Sequence, residues 1–112
     1  HGFNVFDAEW VREYGLDVTV EKIKKVVGDC PCYITFDIDF LDPAFAPGTG
    51  TPVCGGFTTW EAQKLIRKLS GLNLVGADLV EVSPTFDHAE ITALAAASVL
   101  LDMICLIASN RP

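Results

Sequence analysis

Phe36-Asp37-Ile38-Asp39-Phe40-Leu41-Asp42-Pro43 is the stretch whose reading decides the fold. Tyr33, Ile34, Thr35 and Phe36 climb into it, and three acidic residues and a proline end it. A short run of β-branched and aromatic residues bounded by turn residues predicts a buried strand, here over 33–38. Strand side chains alternate, so residues i and i+2 share a face. On that geometry Asp37 and Asp39 point the same way at the end of the strand. Two carboxylates about 5 Å apart repel by roughly 3 kcal/mol at an effective dielectric of 20. A hard divalent cation turns the repulsion into attraction, because carboxylate oxygens are its preferred ligands. The competing reading is a strand end that runs into a solvated turn. It accounts for Asp42-Pro43 as turn chemistry, but less well for two carboxylates flanking Ile38. The pair therefore predicts a metal site.

Outward from this strand the pattern alternates. Downstream lies an irregular loop with Pro43, Pro47, Gly48, Gly50, Pro52, Gly55 and Gly56. Such a loop after an apolar strand favours function over mere linkage. Thr58 and Glu61 form a capping-box pattern, and Ala62, Leu65, Ile66 and Leu69 give the following helix its apolar face. A second apolar strand over 74–82 carries Glu81 near its end and is stopped by Pro84. Asp87 and Glu90 are expected to cap a last helix in the manner of Thr58 and Glu61. Upstream, Asp7 caps a predicted helix over 8–14 that Gly15 ends, and Asp17 starts another over 18–27, with Val20, Ile23 and Val27 on one face. Asn4 to Phe6 reads as a strand remnant. Helices alternating with near-continuous apolar strands predict an α/β fold with a parallel sheet. Ligands of such sheets sit outside the carboxyl ends of the strands, where Asp37, Asp39 and Glu81 all fall. A carboxylate facing that crevice suits an amine or guanidinium. Asp78 lies on the other face from Glu81 by alternation. His88, in the first turn of the predicted last helix, is assigned a structural or surface role, and Phe57 and Trp60 are expected to pack. No phosphate loop and no nucleophile elbow occur.

The sequence of 112 residues is half apolar, with a mean hydropathy of +0.34, which suits one globular domain. Its net charge of −7 and the absence of a Lys/Arg cluster longer than Lys24-Lys25 or Arg67-Lys68 argue against a nucleic-acid partner. Cys30, Cys32, Cys54 and Cys105 contain no Cys-x-x-Cys pair and read as reduced thiols. Cys30-Pro31-Cys32 is the weaker alternative, a soft-metal site. No leader peptide is expected ahead of His1. The apolar stretch 91–108 is long enough to raise the question of a membrane span. Asp102, Thr92 and Ser98 dilute it, and a buried core helix with no membrane partner is expected.

The longest motif is Phe36-Asp37-Ile38-Asp39 followed by Leu41-Asp42-Pro43-Ala44-Phe45-Ala46-Pro47-Gly48-Thr49-Gly50-Thr51-Pro52, with Gly55-Gly56 and Thr58 beyond it. It resembles the signature of the ureohydrolase (arginase/agmatinase) family. Val75-Gly76-Ala77-Asp78-Leu79-Val80-Glu81-Val82-Ser83-Pro84 is similar to the family's second C-terminal motif, and Asp87-His88-Ala89-Glu90-Ile91-Thr92-Ala93 to its agmatinase branch. The resemblance implies a three-layer α/β/α fold around a parallel sheet, incomplete in this chain. Residues 1–112 would be the C-terminal part of a single ureohydrolase domain. It also implies two Mn2+ ions, with Asp37 bridging both and Asp39 ligating one, and Glu81 against the guanidinium of a small cationic substrate. Hydroxide held between the metals would attack the guanidinium carbon, releasing urea and an amine. Phe40, where typical arginases carry glycine, and Ser83, where they carry asparagine, lean towards agmatine as substrate. Guanidinobutyrate, guanidinopropionate and arginine are the alternatives. The family's Gly-Gly-x-His and Asp-Ala-His-x-Asp motifs and its proton-transfer histidine are absent, so no catalytic residue is assigned within these residues. The implied expectations are a fragment of a longer product that is inactive alone, a homotrimer or hexamer when intact, and a cytoplasmic or alternatively mitochondrial location. The expectation of another class is a non-catalytic remnant that partners an intact homologue.

Overall fold

The element order is helix, strand, helix, strand, helix, as the alternating pattern predicts. A computed structural model describes residues 1–109. Helix α1 (Ala8–Val27) starts at Asp7, whose carboxylate accepts from Trp10 N at 2.8 Å. It breaks at Gly15, with φ +84° and ψ 162°, so it is two helical segments meeting where the sequence places a stop. Asp17 does not cap the second segment; its carboxylate pairs with Lys68 instead. Residues 4–6 form no strand.

Strands β1 (Cys32–Asp37) and β2 (Leu74–Val80) are parallel neighbours. Helix α2 (Thr59–Lys68) connects them in sequence. It opens on the expected capping box: Glu61 N donates to Thr58 Oγ1 at 3.1 Å and Thr58 N to Glu61 Oε2 at 2.8 Å. Register pairs Ile34 with Ala77, Phe36 with Leu79 and Asp37 with Val80. Cys32, Ile34 and Phe36 turn into a core built with Ala62, Ile66 and Leu69 of the α2 region and Val99 and Met103 of α3 (Ile91–Ser109). Helix α2 packs on α3 and α1, and α3 packs on β2. Tyr33, Thr35 and Asp37 stay exposed on the opposite face. The sheet is therefore covered on one side only. This is one helical layer and two strands of the expected three-layer fold.

Helix α3 is long and apolar enough to cross a membrane by length and composition. Thr92, Ala95, Ala96, Val99, Met103 and Leu106 bury one stripe, as a core helix requires. Leu94, Leu101 and Ile104 stay exposed on the helix. Asp102 ties α3 to α2 by accepting from Arg67 Nε at 3.0 Å and Gln63 Nε2 at 3.1 Å. Phe57 packs as expected, but Trp60 is 64% exposed, with Lys64 set over its ring. The reason is helical phase: Trp60 lies on the far side of α2 from Ala62 and Ile66.

Candidate active site

The two aspartates meet by a different route from the one alternation predicts. Strand β1 ends at Asp37, and Ile38–Phe40 is a single 3₁₀ turn. Asp37 caps that turn, its Oδ1 accepting from Asp39 N at 3.1 Å. Ile38, completely buried, anchors the turn between them. The carboxylates are neighbours because the chain coils, not because it stays extended. Burial pushes the Asp37 carboxyl above its ordinary range, and the charge of Asp39 adds to this; the Asp39 N–H opposes it. Asp37 is exposed as a residue, so its desolvation is partial. Asp39 Oδ2 accepts from Thr51 Oγ1 at 3.0 Å, a partner from the Pro/Gly loop.

That loop is held by Asp42. Its Oδ1 accepts from Ala44 N at 2.9 Å, and its Oδ2 from Gly55 N at 2.8 Å. These two donors lower its carboxyl, partial desolvation opposes them, and Gly56 N–H and the Arg12 charge lower it further. A β-carbon on Gly56 would lie 2.4 Å from Asp42 N and 2.6 Å from Leu41 C, so only glycine allows this closure. Leu41 and Phe57 then form a parallel bridge, with Asp42 N donating to Phe57 O at 2.9 Å and Phe57 N to Phe40 O at 3.0 Å.

Glu81 follows Val80, the register partner of Asp37, so both strands deliver carboxylates to one end of the sheet. Glu81 is exposed and takes φ +68°, a left-handed conformation that costs a non-glycine residue roughly 1–2 kcal/mol. The strand ends at Val80 and not at Val82, and alternation no longer fixes the direction of Glu81. Beyond it, Ser83 N donates to Gly48 O at 2.7 Å, joining the two strand-end loops. Asp87 caps α3: Oδ1 accepts from Thr92 N and His88 N, both at 2.9 Å, and Oδ2 from Ala93 N at 3.0 Å. Desolvation is the largest single influence on Asp87 and raises its carboxyl, but the Thr92, Ala93 and His88 hydrogen bonds together outweigh it and leave it lowered. Glu90 takes no reciprocal part in that cap; it and Ala89 have positive φ, and α3 begins after them. His88 is exposed and precedes the helix.

The donor chemistry fits a hard cation. Asp37 and Asp39 offer adjacent carboxylates at the edge of a cavity of about 440 Å³ beside β1 and α2 whose remaining lining, Thr35 aside, is apolar. Among the described residues no group of three or more His, Cys, Asp and Glu side chains converges. Two carboxylates alone would make only part of a metal's ligand set. Sequence reading missed Thr51 as the partner of Asp39; a loop hydroxyl twelve residues on has no periodic signal.

The family model for the arginase family matches residues 1–105. The chain belongs to the arginase family. It is 56% identical over 110 residues to an agmatinase of Chromobacterium violaceum, covering 98% of this chain and 34% of that protein. It is 58% identical to an agmatinase of Proteus mirabilis, covering 99% of this chain and 36% of the relative. A crystal structure of a hypothetical agmatinase from Burkholderia thailandensis superposes with a TM-score of 0.92 at 56% identity, over 96% of this chain and 34% of that one. Proclavaminate amidino hydrolase from Streptomyces clavuligerus gives a TM-score of 0.96 at 40% identity, over 99% and 37%. The chain spans about a third of the length of the relatives it matches.

Proposed function

We propose that these residues are the C-terminal part of a manganese-dependent guanidino hydrolase whose preferred substrate is agmatine, cleaved with water to putrescine and urea. The observation that carries the proposal is the Asp37–Asp39 pair, coiled together at the open end of the parallel strands in an arginase-family chain. Asp37 and Asp39 would hold manganese together with ligands from outside this sequence. The ions, when bound, would make hydroxide available at neutral pH. Thr51 fixes the orientation of the Asp39 carboxylate. Glu81 would accept from the guanidinium of the substrate. The remaining ligands and the proton-transfer histidine would come from residues outside this sequence. Asp78 supports a larger domain: its Oδ2 accepts from Tyr33 Oη at 3.1 Å, while its buried Oδ1 has no partner among the described residues. A donor from a covering layer would satisfy it.

The choice of agmatine follows the relatives at 55–58% identity, which are named agmatinases, while solved arginases from Bacillus caldovelox and Bacillus subtilis match at 28–29%. Guanidinobutyrate, guanidinopropionate and arginine remain the substrates to test beside it. The named relatives are bacterial, which favours a cytoplasmic enzyme and gives the mitochondrial alternative no support. A homotrimer or hexamer belongs to the same reading. The second reading, a non-catalytic remnant bound to an intact homologue, draws on the uncovered sheet face and the short span. The coding sequence upstream of His1 separates the two: lack of histidine-bearing ligand motifs there selects the remnant. The activity test is manganese-dependent urea release by the full-length product. A preference for arginine over agmatine would overturn the substrate assignment, and urea release without any divalent ion would overturn the metal.

A further inference from the structure

Arg12, on α1, has no part in the chemistry proposed so far. Its Nη2 donates to Gly55 O at 2.6 Å and to Gly56 O at 2.8 Å, and its guanidinium carbon lies 5.1 Å from the centre of the Phe57 ring. One side chain thus grips three successive residues of the Pro/Gly loop, by charge-assisted hydrogen bonds and by a cation–π contact. The gripped segment is the one that closes on the 3₁₀ turn. Phe57 N donates to Phe40 O at 3.0 Å, next to Asp39, and the Phe40 and Phe57 rings stack at 4.4 Å. Thr51, in the same loop, donates to Asp39 Oδ2. Asp39, Cys54, Gly55 and Gly56 share a cavity of about 300 Å³ with Phe6 and Ala8, so the start of α1 and the Asp39 side of the site form one wall.

We propose that Arg12 is a positioning residue: it straps residues 55–57 against the Ile38–Phe40 turn and so holds the Asp39 carboxylate in the orientation that receives a divalent cation. The proposal rests on the reading of Asp37 and Asp39 as manganese ligands. Arginine suits the task because one NH2 group of its planar guanidinium donates to both carbonyls while the face of the guanidinium lies on an aromatic ring. Lysine supplies the charge without that planar face.

The test uses the full-length protein with Arg12→Ala and Arg12→Lys, measuring Mn2+ affinity by titration and amide hydrogen exchange over residues 51–57 by mass spectrometry. Arg12→Ala is expected to speed exchange in that segment at least tenfold and to weaken Mn2+ binding about tenfold, the lower end of what loss of an outer-shell partner costs. Arg12→Lys should fold like wild type, exchange almost as fast as the alanine variant, and recover only part of the affinity. In turnover, kcat at subsaturating Mn2+ should fall with little change in KM, and excess Mn2+ should restore it. Faster exchange with unchanged Mn2+ affinity would make Arg12 a purely structural strap and overturn the proposal. So would unchanged exchange with unchanged affinity. A wild-type protein that binds no Mn2+ would instead overturn the metal reading itself, and the strap's purpose with it.

Discussion

At the end of β1 each acidic side chain has a partner, whereas at the end of β2 the side chain of Glu81 has none among the described residues. Asp37 accepts from Asp39 N, Asp39 from Thr51, and Asp42 from Ala44 N and Gly55 N. Glu81 is exposed and held in a left-handed backbone. Under the proposed function the difference separates two tasks. Metal ligands must be placed before the metal arrives, and local hydrogen bonds place them. A group that meets a substrate can be completed by that substrate, and stored backbone strain at such a position is a recurrent mark of function.

The comparison breaks first at the rigid end. In the full-length protein, Asp37→Ala or Asp39→Ala should cut manganese-dependent urea release by about 100-fold or more and lower bound manganese per site. Full activity in either variant would remove that residue from the ligand set. Next in size is Ile38→Ala, which empties the completely buried anchor of the turn. It should cost about 2–5 kcal/mol of stability, read from the denaturant midpoint. If the loss is near zero, the turn is not held from its apolar side.

The strained end is sharpened by a pair of substitutions. Glu81→Gln should raise KM for the guanidino substrate about tenfold with a smaller effect on kcat; unchanged values of both would take Glu81 out of the site. Glu81→Gly should lose activity yet gain up to about 1 kcal/mol in stability, because glycine accepts φ +68° without strain. Loss of both activity and stability would show that the side chain supports the fold.

The smallest effect is a pH slope. Asp42 is lowered in the folded state, so its ionised form contributes stability above the ordinary carboxylate value. That contribution disappears as pH falls through the folded value. Wild type should therefore lose stability below about pH 4 more steeply than Asp42→Asn. Equal slopes in urea denaturation from pH 3 to 7 would place the loop's stability elsewhere.

The sequence made the element order legible because each element carries its own local signal. Thr58 and Glu61 mark the start of α2, Gly15 marks a break, and the two apolar runs mark the strands. Asp37, Asp39 and Glu81 were legible as carboxylates at one end of the sheet, but neither the geometry joining them nor the Thr51 partner was. Asp39 reads as an extended residue from alternation alone, yet the buried Ile38 and the Asp37 cap coil the chain one residue earlier. Glu81 looks like a strand residue until the reversal needed to bring Ser83 against Gly48 forces its backbone over. The exposure of Trp60 follows from the helical phase that Ala62, Leu65, Ile66 and Leu69 set, whereas the Arg12 strap depends on contacts across more than forty residues, which no local pattern encodes.

Asp102 has a consequence beyond docking α3 to α2. Cellular sorting machinery judges a nascent segment by its hydropathy, and Ile91–Ser109 is long and apolar enough to qualify by length and composition. A carboxylate near the middle of such a segment adds about 2.5–3.5 kcal/mol to the cost of placing it in lipid. The residue that fastens the last helix to Arg67 and Gln63 would therefore also count against moving that helix into lipid. Replacing Asp102 with leucine would release the helix from its partners and remove the main penalty that deters its diversion into a bilayer.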